Sequence, residues 1–203
     1  MHEVPNISTV FFEEPIKFAI RWKMPLASRI IVIESKQVWC MKQTCQKENN
    51  MGDDQTTLRV NSIDLSGSVA DGPGVRLVVF FQGCDKKVKC VNCHNPSSHS
   101  MRGGTAMTVA DIVKRLEESP IRRVTLSGGE PLAQSEEGLF RLVQTLKADG
   151  FEIALYTWRQ IDQVPARILQ RIDWLKVGEY REELRTSTSA YVGSSNQRFF
   201  KVA

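Results

Sequence analysis

From about Leu58 onward, apolar and polar positions follow two rhythms in turn. Residues 75–81 (VRLVVFF) form a nearly unbroken β-branched and aromatic run, which suits a strand buried on both faces. Shorter runs of strand character occupy residues 58–64, 123–126, 152–156, 174–177 and 198–202. Between them the period lengthens to that of a helix. Val109, Ile112, Val113 and Leu116 make one stripe over residues 108–118, with Thr108 as N-cap and Asp111 three positions later. Leu139, Leu142, Val143 and Leu146 make a second over residues 135–149, stopped by Gly150. A third helix is expected over residues 161–172, interrupted near Pro165.

Strands that alternate with helices in this way predict a parallel α/β sheet with right-handed crossovers. A full eight-unit barrel takes about 250 residues, more than residues 51–203 supply, so an incomplete, open barrel-like sheet is expected. Sites in such sheets lie at the carboxyl ends of the strands. The loop after residues 75–81 and the loop after residues 123–126 should therefore share one rim.

Residues 1–50 lack this patterning. They hold the apolar run Ile30-Ile31-Val32-Ile33 but no sustained period, and end in the polar stretch Gln46-Lys47-Glu48-Asn49-Asn50. We read them as an N-terminal extension, with Met51 as an alternative start, and residues 51–203 as the domain. Cys40 and Cys45 in the extension are read as incidental thiols. Composition narrows the function classes only modestly. Of the 203 residues, 41% are hydrophobic and 25% charged, the profile of a globular domain. A formal net charge of +4 is too small to argue for nucleic acid. No secretory signal opens the chain, and no apolar run is long enough to cross a bilayer, so the cytoplasm is expected. Thiols stay reduced there, which favours metal-binding or catalytic cysteines over disulfides.

The candidate chemistry lies on the two expected rim loops. The first reads Gly83-Cys84-Asp85-Lys86-Lys87-Val88-Lys89-Cys90-Val91-Asn92-Cys93-His94-Asn95-Pro96. Its thiolates are soft ligands that select zinc, Cu(I) or an iron–sulfur cluster. Three cysteines on a four-iron cluster leave one iron open to a substrate; a zinc site would instead recruit His94 or His99 as fourth ligand. The second loop is Ser127-Gly128-Gly129-Glu130-Pro131. Its glycines would let a ligand approach the backbone, and the Glu130 carboxylate suits an ammonium group; a tight strand-to-helix turn would need the same residues. Lys86, Lys87 and Lys89 form a solvated basic stretch or a docking face for an acidic partner. Asp71 and Arg76, flanking a glycine turn, are read as a structural pair, and Trp158 and Trp174 as packing residues. His99 is read as a surface residue once a cluster is accepted. The polar run at residues 193–197 is open between a simple turn and a hydrogen-bonding wall.

Taken together, the stretches Asp71-Gly72-Pro73-Gly74-Val75-Arg76, Cys84 to Pro96, Thr125-Leu126-Ser127-Gly128-Gly129-Glu130-Pro131-Leu132 and Gly193-Ser194-Ser195-Asn196-Gln197 resemble the radical S-adenosylmethionine (radical SAM) superfamily. Within it they are most similar to the activating proteins of anaerobic ribonucleoside-triphosphate reductases. The resemblance implies an incomplete, open parallel βα barrel of the radical SAM type. It implies a 4Fe-4S cluster on Cys84, Cys90 and Cys93, with S-adenosylmethionine on the open iron. It places Gly128, Gly129 and Glu130 at the methionine amino group and Asn92, Cys93 and His94 along the cofactor, with His94 near the adenine. The implied reaction is reductive cleavage of S-adenosylmethionine and installation of a glycyl radical on the anaerobic reductase. A reduced flavodoxin- or ferredoxin-type protein would donate the electron, and neither nucleic acid nor membrane takes part. One departure stands out: the family spaces its cysteines C-x3-C-x2-C, whereas this chain reads C-x5-C-x2-C. The alternatives are an activase of another glycyl-radical enzyme, as for pyruvate formate-lyase, a small-molecule radical SAM enzyme, and a zinc-stabilised binding module.

Overall fold

The computed structural model describes residues 56–202. The division at residue 50, the alternative start at Met51, and Cys40 and Cys45 lie outside these residues. Among the described residues, seven strands form one open sheet in the order β3-β1-β2-β4-β5-β6-β7. They are β1 (Thr57–Ser68), β2 (Arg76–Phe81), β3 (Thr105–Thr108), β4 (Arg123–Gly128), β5 (Glu152–Tyr156), β6 (Trp174–Val177) and β7 (Arg198–Lys201). The α-helices among the described residues are α1 (Val109–Glu117), α2 (Glu136–Ala148) and the short α3 (Ala166–Leu169).

The parallel sheet expected from the sequence is present at the centre. β2, β4, β5 and β6 pair in parallel, while β1 pairs antiparallel with both β2 and β3, and β7 pairs antiparallel with β6. For β1 and β2 the reason is connection length. A parallel pairing needs a crossover of a dozen residues or more, and only residues 69–75 join these two strands. The third helix is shorter than expected. A single 3-10 turn (Ile161–Gln163) precedes Pro165, and four α-helical residues follow it. Proline cannot donate into a preceding turn and disfavours helix in the residue before it.

The two faces of the sheet differ because side chains alternate along each strand. Leu77, Val79, Phe81, Val124, Leu126, Ile153, Leu155, Leu175 and Val177 lie in a single core with the apolar stripes of α1 and α2. Those stripes are the ones the sequence predicts: Val109, Ile112, Val113 and Leu116 on α1, and Leu139, Leu142, Val143 and Leu146 on α2. The α1 start carries the expected reciprocal cap between Thr108 and Asp111. The alternate strand positions face the other way, and Phe80, Ser127, Tyr156 and Lys176 from them line a cavity.

Arg76 ties the strand beginnings together. Fully buried, its guanidinium donates to Thr125 Oγ1, the carbonyls of Pro73, Val124 and Glu152, and Glu152 Oε1 at 2.6 Å. It therefore pairs with Glu152 and not with Asp71, whose carboxylate accepts from Ser68 Oγ. Buried charges need this degree of hydrogen bonding.

Candidate functional site

The cavity on the open face of the sheet has a volume of about 490 Å³, within the range of small-molecule sites. Cys84, Cys90, Cys93, His94, Gly128 and Gly129 all line it. The two rim loops expected from the sequence therefore meet.

The cysteine loop is closed at its base. Gly83 N donates to Ser98 O at 2.8 Å, and Cys84 N donates to His99 O at 3.3 Å. The longer C-x5-C segment is folded in rather than left loose. The Lys89 ammonium donates to the carbonyls of Cys84 and Lys86. Asp85 accepts from Trp158 Nε1 at 3.3 Å and from Arg159 at 2.7 Å, which anchors the segment to the loop after β5. Lys86 reaches Glu179 beyond β6 and the Cys90 sulfur. Burial works against the Lys86 charge, but these two partners outweigh it and raise its pKa above the ordinary value. Of the three lysines expected to form a basic face, Lys86 and Lys89 thus turn inward and Lys87 is exposed. Burial pushes the Cys84 thiol up.

The Ser127 to Pro131 loop has a different logic from the one expected. Gly128 has φ +105°, and a Cβ there would lie 2.4 Å from Phe81 N. At Gly129 a Cβ would lie 2.1 Å from Gly83 O and 2.8 Å from Ser98 O. The glycines are demanded by the chain's own backbone, which packs the end of β4 against the base of the cysteine loop. Gly129 N donates to Phe81 O at 2.9 Å and Glu130 N to Gly83 O at 2.8 Å.

Glu130 is not among the cavity-lining residues. It is fully buried, and its carboxylate accepts from Leu132 N (2.9 Å), Thr157 Oγ1 (2.9 Å) and Trp158 N (3.1 Å). Burial raises its pKa to about 7, against the pull of those donors. In this arrangement it fixes the loops after β4 and β5 to each other. Asn92 also lies off the cavity wall, with φ 52°, close enough to Glu182 to help lower that carboxyl's pKa. His94 stands on the wall with its ring centroid 5.7 Å from that of Tyr180.

Several wall residues are ones the sequence does not assign to a cofactor site. His99, read as a surface residue, lines the cavity, as does Trp158, read as packing. Tyr156 is buried with its hydroxyl lacking any partner, and the Lys176 ammonium sits 4.3 Å from the Tyr156 ring centroid. Burial depresses the Lys176 pKa to about 8, against the attraction of Asp71, Glu130 and the thiolates of Cys90 and Cys93. Strand alternation marks both positions as facing away from the helices, which is the one sequence signal available for them. The 193–197 run is a structured wall. Gln197 accepts from Gly193 N and Ser194 N and donates to Gly178 O, so its amide is committed to the fold.

The donor set tests which metal group fits. Among the described residues, no three His, Cys, Asp or Glu side chains gather tightly enough for one metal ion. Cys84, Cys90 and Cys93 all line one cavity, and all three donors are the soft thiolates that iron–sulfur clusters take.

Comparison with known proteins agrees with that choice. Residues 70–200 match the family described as a 4Fe-4S single cluster domain, and the chain belongs to this family within the radical SAM superfamily. Its cofactors are a 4Fe-4S cluster and S-adenosylmethionine. The chain is similar to the anaerobic ribonucleoside-triphosphate reductase-activating protein of Enterobacteria phage T4, at 34% identity over 137 residues, covering 64% of this chain and 86% of that protein. It is also similar to the pyruvate formate-lyase-activating enzyme of Clostridium pasteurianum, at 40% identity over 105 residues, covering 49% of this chain and 42% of that enzyme. The pyruvate formate-lyase 1-activating enzyme of Escherichia coli K12 is 32% identical over 158 residues, covering 71% of this chain and 61% of that enzyme. The chain thus spans less than two thirds of both formate-lyase relatives. No helix among the described residues is long and apolar enough to cross a membrane.

Two outcomes follow from the rim. Gly129→Ala should destabilise the full chain by about 2 kcal/mol, read from urea unfolding of the apoprotein, because the Cβ meets backbone that cannot yield; a loss below roughly 0.5 kcal/mol would contradict the close approach. The second concerns pH. With its folded pKa above the ordinary 4.5, Glu130 keeps a proton in the fold that the unfolded chain releases. Its contribution is complete below about 4.5 and is lost as pH rises through about 7. Wild-type stability should fall across that window, and Glu130→Gln should flatten the fall.

Proposed function

We propose that this chain is an activating enzyme that cleaves S-adenosylmethionine reductively and installs a glycyl radical on an anaerobic ribonucleoside-triphosphate reductase. The observation that carries this reading is the meeting of Cys84, Cys90, Cys93 and His94 with the Gly128-Gly129 backbone around one cavity. Extensive coverage of the phage T4 reductase-activating protein supports the choice of partner. We also read the open sheet as an incomplete βα barrel. The parallel strands follow one another in chain order, and α1 and α2 pack on one face.

In this reading Cys84, Cys90 and Cys93 would hold the cluster. When bound, the cluster and S-adenosylmethionine supply one-electron cleavage of the sulfonium and hydrogen abstraction from a glycine Cα of the partner. The protein's own residues hold, orient and shield. Gly128 and Gly129 form a flat wall, with no side chain between the cavity and the base of the cysteine loop. Glu130 positions that wall from behind, joining it to Thr157 and Trp158. His94, braced by Tyr180, offers a ring face beside Cys93 for the adenine, and Asn92 shapes the same turn from outside. Phe80, Tyr156 and Trp158 supply the apolar surface that limits water. The electron comes from a reduced flavodoxin- or ferredoxin-type protein, in the reducing setting of the cytoplasm.

A second reading, activation of a pyruvate formate-lyase, is favoured by the 40% identity to the Clostridium enzyme. One experiment separates them. Reduced anaerobic protein is incubated with S-adenosylmethionine and either the anaerobic reductase or the formate-lyase. 5′-Deoxyadenosine is quantified, and the glycyl radical is read by electron paramagnetic resonance. The expected result is 5′-deoxyadenosine with a radical signal on the reductase alone. A signal only on the formate-lyase transfers the assignment to that partner, and cofactor cleavage with no radical on either partner contradicts activase function.

A further inference from the structure

The two residues by which this cysteine loop exceeds the family spacing do more than lengthen it. Lys86 lies in the enlarged segment, with its ammonium 3.3 Å from Cys90 Sγ and 3.0 Å from Glu179 Oε2. Its side chain is only 16% exposed. The contact is held from several sides. Glu179 is anchored by Arg181, while the Lys86 carbonyl accepts from the Lys89 ammonium. Lys87, next in sequence, has the same charge but is exposed to solvent. The segment therefore places one specific cation against one specific sulfur.

We infer that Lys86 is a positioning residue that, through Cys90, sets the reduction potential of the cluster. This inference rests on the proposed cluster ligation. Reduction adds one negative charge to a group already carrying thiolates. An N–H donor and a positive charge at a ligand sulfur stabilise the reduced state more than the oxidised one, and hydrogen bonds to cluster sulfurs are among the determinants of potential. Lys86 thus makes the electron easier to accept. Glu179 works in the opposite sense, by drawing part of the ammonium's charge toward itself. The enlarged spacing and the tuning cation are one device.

The test is a redox titration of the cluster-loaded full chain, followed by electron paramagnetic resonance, without partner protein. Lys86→Gln should lower the ratio of reduced to oxidised cluster at a fixed potential by about tenfold, a shift of about 59 mV for one electron. Lys86→Arg should restore most of the wild-type value, and Lys87→Gln, the same charge change on the exposed neighbour, should leave it unaltered. Glu179→Gln should shift the potential upward, a sign opposite to that of Lys86→Gln. This variant keeps the idea testable if Lys86→Gln fails to load. An unchanged potential in Lys86→Gln, an equal fall in Lys87→Gln, or a fall in Glu179→Gln would overturn the inference while leaving the proposed activity intact. A wild-type chain that takes up no iron and sulfide would overturn both.

Discussion

The site depends on one close approach of backbone to backbone. Gly129 passes so near Gly83 and Ser98 that no side chain fits at that position. Hydrogen bonds from Gly129 N and Glu130 N to Phe81 O and Gly83 O fix the contact. Gly83 in turn bonds Ser98 at the closing end of the cysteine loop. The end of β4 and the base of the cysteine loop are therefore one rigid unit. Cys84 and the Gly128-Gly129 wall are positioned from it directly, and Glu130 ties the same unit to the loop after β5. A carboxylate held by three donors and buried behind the wall is well suited to carry that positioning to the loop after β5.

The sheet supplies what the rim cannot, a surface with two distinct sides. One side is spent on the helices, and the stability of the domain rests mainly there, in the shared core of strands and α1 and α2. The other side carries Tyr156 and Lys176, polar groups that a packed core would reject. An orphaned phenol and an ammonium lodged over its ring are costly features in the free protein. They are intelligible in a cavity that takes up a polar, charged ligand.

Much of this was legible in the sequence, for physical reasons. The stripes of α1 and α2, the Thr108 cap and the central strands follow from period and capping chemistry. The convergence of the two rim loops follows from the parallel order of β2 and β4. Other features left no local trace. β3 is four residues with no apolar alternation, and it exists because β1 offers it an edge. The antiparallel pairing of β1 with β2 depends on the short connection between them. The glycines at 128 and 129 were read as space for a ligand, yet their space is taken by Phe81, Gly83 and Ser98, residues far away in sequence. Glu130 was expected at a ligand ammonium, and its burial could be seen only once Thr157 and Trp158 were folded over it. The lysines of the cysteine loop looked like a solvated run. The inward turn of Lys86 and Lys89 depends on Glu179 and on carbonyls that only the folded loop presents.

The central claim is that Cys84, despite the longer spacing, joins Cys90 and Cys93 on one iron–sulfur cluster. Its most direct test is the metal and acid-labile sulfide content of anaerobically purified protein, wild type beside Cys84→Ser. The account predicts iron and sulfide in equal amounts in the wild type, with both falling sharply in the variant. Stoichiometric zinc without sulfide, or a Cys84→Ser variant with undiminished iron and sulfide, would contradict it.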